Sequence, residues 1–139
     1  MEKTALAQLL VRRCGAVCYA LWGVLHVYVG ITLLTALLRH GTDQGRQVAW
    51  GQMYYSFVVV FGVLVAAVAL RLNWRGDLAG YWINLAIVVS TDSVFAVIMM
   101  APGYITFSQG ISGPILAAPA VVLTTIALIW SRRRALPSR

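Results

Sequence analysis

Long apolar runs alternate with short polar breaks along this chain. Three of the runs, Cys14 to Leu38, Val48 to Leu70 and Ala79 to Ala101, each hold at most one acidic, basic or histidine side chain. Each exceeds the roughly 20 residues that a helix needs to span hydrocarbon. A fourth run, Ile115 to Trp130, is shorter and begins near Ser112. The pattern predicts an all-α membrane protein, a four-transmembrane-helix antiparallel bundle with spans over residues 14–38, 48–70, 79–101 and 112–131. No internal repeat, low-complexity tract or long linker divides the chain, so residues 1–139 read as a single transmembrane domain.

The breaks carry turn chemistry. His40-Gly-Thr-Asp-Gln-Gly-Arg46 and Asn73-Trp-Arg-Gly-Asp77 combine Gly with Asp or Asn, which predicts tight turns between antiparallel neighbours. The third break is different in kind. Pro102-Gly103 ends the third helix and Gly110 and Gly113-Pro114 precede the fourth, with Tyr104, Ile105, Phe107 and Gln109 between them and no charge. Such a loop is expected to rest in the outer headgroup region, either as a lid over the bundle or as an aromatic anchor.

Composition agrees with lipid as the main solvent, since 60% of residues are hydrophobic and 11% charged, against about half and a quarter in soluble domains. The net charge of +7 does not point to nucleic acid, because the basic residues bracket the apolar runs and do not share one amphipathic face. Arg12 and Arg13 precede the first span, Arg71 and Arg75 separate the second from the third, and Arg132, Arg133 and Arg134 follow the fourth. The positive-inside rule puts all three groups in the cytoplasm and gives an N-in/C-in, multi-pass membrane protein. Arg39, Arg46 and Asp43 in the first loop weaken that bias locally, and the third loop is uncharged.

The first run is not expected to be a signal peptide. It is longer than a signal core of about 7–15 residues, and no small-residue cleavage site follows it before Arg39. Residues 1–13 read as a short interfacial helix with Leu6, Leu9 and Leu10 toward the acyl boundary. Cys14 and Cys18 stand one turn apart at the inner edge of the first span, where small-residue packing is their expected role. Thiol oxidoreductases with four membrane helices need a second cysteine pair, and this chain has only 2 cysteines. Trp50, Trp82 and Trp130 fall near span edges, as an aromatic belt does, whereas Trp22 is deep and shares a helical face with Cys18 and His26.

Asp92 is the single acidic residue inside any span. A carboxyl there costs about 2.5–3.5 kcal/mol on the insertion scale, so it is expected to face the bundle interior. It sits in Ser90-Thr91-Asp92-Ser93, and Asn84 lies two turns earlier on nearly the same face, which makes a polar stripe on the third helix. His26 is the other titratable group in mid-span. At 1.5 Å per residue both lie roughly 18–20 Å from the inner edge, and so at similar depth. Gln52, Tyr54, Tyr55 and Ser56 fall in the outer third of the second helix. The expected pocket is therefore His26, Asp92, Ser93, Tyr55 and Gln52, beside Trp22 and Asn84.

In that pocket Asp92 is the candidate general acid, with His26 or Tyr55 as its partner. Trp22, Gln52, Asn84 and Ser93 are the candidate substrate contacts. The plainer alternative is a buried hydrogen bond between His26 and Asp92 that fixes the register of two helices, worth roughly 0.6 kcal/mol on average. No metal or other cofactor is expected. His26 and His40 are about 21 Å apart along the helix and do not clamp a haem, no third ligand completes a zinc site, and no phosphate loop or nucleophile elbow occurs.

The segment Trp22-Gly23-Val24-Leu25-His26-Val27-Tyr28-Val29-Gly30, with Met100-Ala-Pro-Gly103 before the last helix, loosely resembles small bacterial four-helix membrane proteins of the DoxX-like kind. The likeness is one of size and span layout over most of the chain and transfers no functional residue. It implies a four-helix membrane fold in a group that includes quinone-linked oxidoreductase subunits. Two function classes follow. One is a membrane-embedded acid–base enzyme acting on an apolar small molecule such as a terpenoid, quinone or lipid. The other is a non-catalytic protein, either an accessory subunit of a membrane complex or half of a dimeric transporter with Asp92 as its coupling site. The bilayer is a partner in both.

The topology is tested by cysteine accessibility in a variant without Cys14 and Cys18. Thr106→Cys should react with an impermeant thiol reagent in intact cells and Ser138→Cys should not. The opposite pattern would invert the assignment.

Overall fold

The computed structural model describes residues 2–40 and 45–135. The tight turn expected across residues 41–44 and the end of the tail, 136–139, lie outside the described residues. Among those described there is no strand. The helices are α1 (Glu2–His40), α2 (Arg46–Arg71), α3 (Leu78–Phe95), the short α4 (Phe107–Gly110) and α5 (Ser112–Ala135). Four segments, Thr4–Arg39, Arg46–Arg75, Leu78–Met100 and Ser112–Arg133, are helical, long and apolar enough to cross a membrane.

The first helix differs from its expected form. Residues 2–13 are not a separate interfacial helix but the first turns of α1, which runs unbroken for 39 residues. Nothing between Glu2 and His40 interrupts it, since the stretch lacks proline and is rich in Ala and Leu. Leu6 and Leu10 are exposed on this extension and Leu9 is half-buried.

α1 packs on α2 along a seam in which the two backbones touch. A Cβ added at Gly23 would lie 2.5 Å from the Gly62 carbonyl oxygen, and one at Gly62 would lie 2.7 Å from the Gly23 oxygen. One heptad on, a Cβ at Gly30 would meet Val59 Cγ2 at 2.7 Å. Residue numbers rise on one helix as they fall on the other, so α1 and α2 run in opposite directions. A second close approach on α1, Gly15 against Thr124 of α5, seats the last helix. The shared core is Tyr19 and Trp22 of α1, Val65 and Ala69 of α2, Val88 of α3 and Ala117 and Ala120 of α5.

α3 is held differently. Of the four long apolar helices it is the least covered by the rest of the protein. Three polar contacts on one face attach it instead. Tyr81 Oη lies 3.0 Å from Thr125 Oγ1 of α5, Asn84 Nδ2 donates to the Val65 carbonyl of α2 at 3.3 Å, and Asp92 accepts from Trp22 of α1. Their spacing of 3 and 8 residues returns to the same side of a helix. The chain reaches α3 through a 3₁₀ turn, Asn73–Arg75, and Gly76 at φ 78°, and Asp77 caps the helix by accepting from the Ala79 amide at 2.7 Å.

Beyond Phe95 the helix widens into a π turn, Ala96–Met100. Gly103, at φ 82°, then reverses the chain, and Thr106 and Gln109 form a capping box that starts α4. Gly110 closes this loop onto the end of α3, where an added Cβ would sit 2.9 Å from Met100 Sδ and 3.2 Å from Phe95 Cε1. Tyr104 and Phe107 remain exposed.

The glycine seam makes a sharp prediction. Gly23→Ala should lower stability in detergent by about 1–3 kcal/mol, since its methyl would press on α2 backbone. Gly51→Ala should be neutral or stabilising, because its Cβ meets only the flexible tip of Leu37 at 2.9 Å. Thermal unfolding of the two variants, monitored by circular dichroism, checks the contrast. Equal behaviour would remove the seam from its place at the centre of the fold.

Candidate functional site

The polar groups at mid-span assemble around Trp22. Its ring is fully buried, with the indole Nε1 donating to both Asp92 oxygens, at 3.3 Å to Oδ1 and 3.4 Å to Oδ2. The imidazole of His26, one turn on, stacks on the same indole with ring centroids 3.6 Å apart and planes inclined by 26°. His26 Nδ1 lies 2.9 Å from the Trp22 carbonyl oxygen. A carbonyl only accepts, so in the neutral ring Nδ1 carries the hydrogen and Nε2 is left as the acceptor.

The start of α5 completes the enclosure. A Cβ built at Gly113 would lie 3.4 Å from Asp92 Oδ1, 3.5 Å from His26 Cε1 and 3.8 Å from Trp22 Nε1. Thus the carboxylate, the imidazole and the indole converge on Gly113 from α3 and α1, at distances that an added methyl would meet as ordinary contacts. The loop containing α4 leads directly into this position, so the uncharged third break reaches the site through its last residues.

The expected residues do not all meet here. His26 and Asp92 both face Gly113, but the donor to Asp92 is Trp22, and the hydrogen bond between His26 and Asp92 is replaced by stacking of His26 on that donor. Ser93 is exposed and points away from the helix cluster. Tyr55 is half-buried on α2, its ring edge-on to Tyr54 at 5.4 Å and its carbonyl near Gly30, one turn beyond His26. Gln52 lies almost one further turn outward, also half-buried. Asn84 is fully buried but belongs to another group, with Nδ2 shared between the Val65 carbonyl and Asn73 Oδ1, both at 3.3 Å.

Sequence reasoning missed Gly113 as a site residue and Trp22 as the partner of Asp92. The shared face of Trp22 and His26 was the available signal for the second. The first depends on where the third loop sets down α5, which no local pattern records. A cavity of about 50 Å³ lies elsewhere, between α1, the turn after α2 and α5. A shallow groove beside Arg46, Trp50 and Met53 marks the opposite end.

A carboxyl group with a single shared donor retains acceptor capacity, and an imidazole acceptor stands across the same space. Among the described residues, no cluster of three or more His, Cys, Asp or Glu side chains is suited to a metal ion.

Trp22→Phe keeps the aromatic stack and removes the donor to Asp92, and should cost about 1–3 kcal/mol. In an Asp92→Leu background the same change should cost less, because no carboxyl is left unpaired. Thermal unfolding of the four proteins in this double-mutant cycle measures the coupling. Additive effects would break the link between indole and carboxyl.

No family model, curated protein or solved structure matches this chain, and its chemistry is read from the contacts just described.

Proposed function

We propose that this is an integral protein of the bacterial inner membrane, an antiparallel bundle of four spans with both termini cytoplasmic. We further propose that Trp22, His26 and Asp92 form an acid–base centre for an apolar substrate arriving from the lipid. The observation that carries this reading is the convergence of the Asp92 carboxyl and the His26 ring on the space in front of Gly113, with one indole N–H as the donor to the acid.

In this reading Asp92 delivers a proton to the substrate, and His26 Nε2 takes one from it or from a neighbouring group. Trp22 positions both, by hydrogen bond to the acid and by stacking on the base. A terpenoid, quinone or lipid fits the route, because α3 and the π turn after it expose Val89, Val94 and Ile98 around the polar turn. Low-polarity surroundings strengthen the electrostatic terms on which proton transfer depends.

A second reading rests on a different observation. α3 is poorly covered and held by three polar contacts, with Ala86, Ser90 and Ser93 exposed along it. Small residues on an uncovered helix suit close approach of another helix, from a second copy or a larger complex. Asp92 is then a tether of α3, or the coupling site of a dimeric transporter.

Asp92→Asn and Asp92→Leu separate the two. Lipid extracts of cells expressing each protein are compared by mass spectrometry, beside thermal unfolding of the purified chains. The acid–base reading expects an apolar product that depends on the wild-type protein and vanishes with Asp92→Asn, while folding is kept. Asp92→Leu should also be inactive, and it trades the lost Trp22 hydrogen bond against removal of a carboxyl from apolar surroundings. A folded Asp92→Asn protein that still makes the product would end the general-acid assignment. Destabilisation by Asp92→Leu without any such product favours the tether.

A further inference from the structure

A cavity lies away from Asp92, at the arginine-rich end. It holds about 50 Å³ and lies between the first turns of α1, the turn joining α2 to α3, and the last turns of α5.

Two donors of its lining have no partner among the described residues. Asn73 is only 3% exposed, and its Nδ2 has no hydrogen-bond partner among the described residues. Arg12 Nε is likewise buried and without a partner there. Both side chains line the cavity. A buried donor left unpaired is costly, and more so on a charged group, so two at one cavity call for a shared acceptor.

Most other donors of the lining are already committed, Ser131 Oγ among them through the Leu128 carbonyl at 2.7 Å. Gln8 Nε2 donates to the Ala127 carbonyl at 3.4 Å, Thr124 Oγ1 donates to the Ala120 carbonyl at 2.8 Å, and Tyr81 Oη is engaged with Thr125. Asp77 borders the cavity as well, but its Oδ1 is held by the Ala79 amide at the start of α3. Asn73 Oδ1 accepts from Asn84, so its amide is oriented and Nδ2 is the atom left over. The Arg12 guanidinium is pressed against Gly76, where an added Cβ would lie 2.8 Å from Nη1.

We propose that this cavity binds a phosphate oxyanion, with Arg12 Nε and Asn73 Nδ2 as its donors. The oxyanion is either the headgroup phosphate of an anionic lipid or free phosphate. Arginine suits it, since a guanidinium pairs with phosphate by parallel charge-assisted hydrogen bonds. The surroundings suit it too, because Arg13 and Arg75 flank the same end and basic sites between membrane helices hold anionic headgroups.

The test follows the unfolding temperature of the full chain in a neutral detergent during titration with short-chain phosphatidylglycerol, short-chain phosphatidylcholine and inorganic phosphate. Wild type should show saturable stabilisation by an anionic phosphate source and none by phosphatidylcholine. Stabilisation by phosphatidylglycerol alone identifies the headgroup; stabilisation by inorganic phosphate identifies the free ion. Asn73→Asp keeps the acceptor for Asn84 while replacing the free donor, and Arg12→Lys keeps charge while removing Nε. Each should weaken apparent affinity at least about tenfold, equivalent to about 1.4 kcal/mol. Arg132→Gln, a basic residue outside the cavity, should change it less than about twofold, under about 0.4 kcal/mol. If Asn73→Asp is poorly folded, retention of anionic lipid by Arg12→Lys in native mass spectrometry decides. No stabilisation of wild type by either anion, or equal weakening by Arg132→Gln and Arg12→Lys, overturns the proposal.

Discussion

Contact between the backbones of α1 and α2 at Gly23 and Gly62 is the constraint on which the other helices depend. Lipid tails are as apolar as leucine, so burial alone gives membrane helices little reason to associate, and close packing has to supply it. Two glycines facing each other allow an approach that any Cβ would forbid. This fixes the rotation of α1, and with it the directions of Trp22 and His26 on one side and of Gly15 toward α5. The mid-span site is thus oriented by a contact that contains no polar side chain.

α3 then joins a pair already formed, and it does so by polar chemistry. Tyr81, Asn84 and Asp92 reach α5, α2 and α1 in turn, at three depths. Interhelical hydrogen bonds average roughly 0.6 kcal/mol in membranes, so three of them hold a helix in register without holding it tightly. Asp92 serves in this arrangement whatever else it does. The carboxyl that would donate protons is also one of three pins of its own helix, which ties any chemistry at the site to the seating of α3.

The helices were legible in the sequence because hydrophobic length alone demands them, and helical period placed Asn84 and Asp92 on one face of α3. The rest was hidden for physical reasons. The join between residues 1–13 and the first span carries no stop signal, so a sequence reading that divides it relies on the bilayer edge, which does not interrupt a helix. Which residue meets Asp92 depends on helix rotation, fixed by the glycine seam, and Trp22 and His26 differ by one turn on the same face. Gly113 enters the site through loop geometry. Arg12 and Asn73 looked like topology and turn residues, and only their burial distinguishes them.

The π turn at Ala96–Met100 has an effect beyond its own width. One extra residue in a helical turn advances the chain by about 100° of rotation with little gain in length. A helical wheel drawn continuously through α3 therefore assigns wrong sides to everything past Phe95. Met100, at the end of that turn, meets Gly110 of the returning loop, which leads on to Gly113 beside Asp92. A residue-by-residue substitution series along α3 would show its periodic pattern jump at Ala96, with the positions above it reading a different environment from their apparent neighbours below.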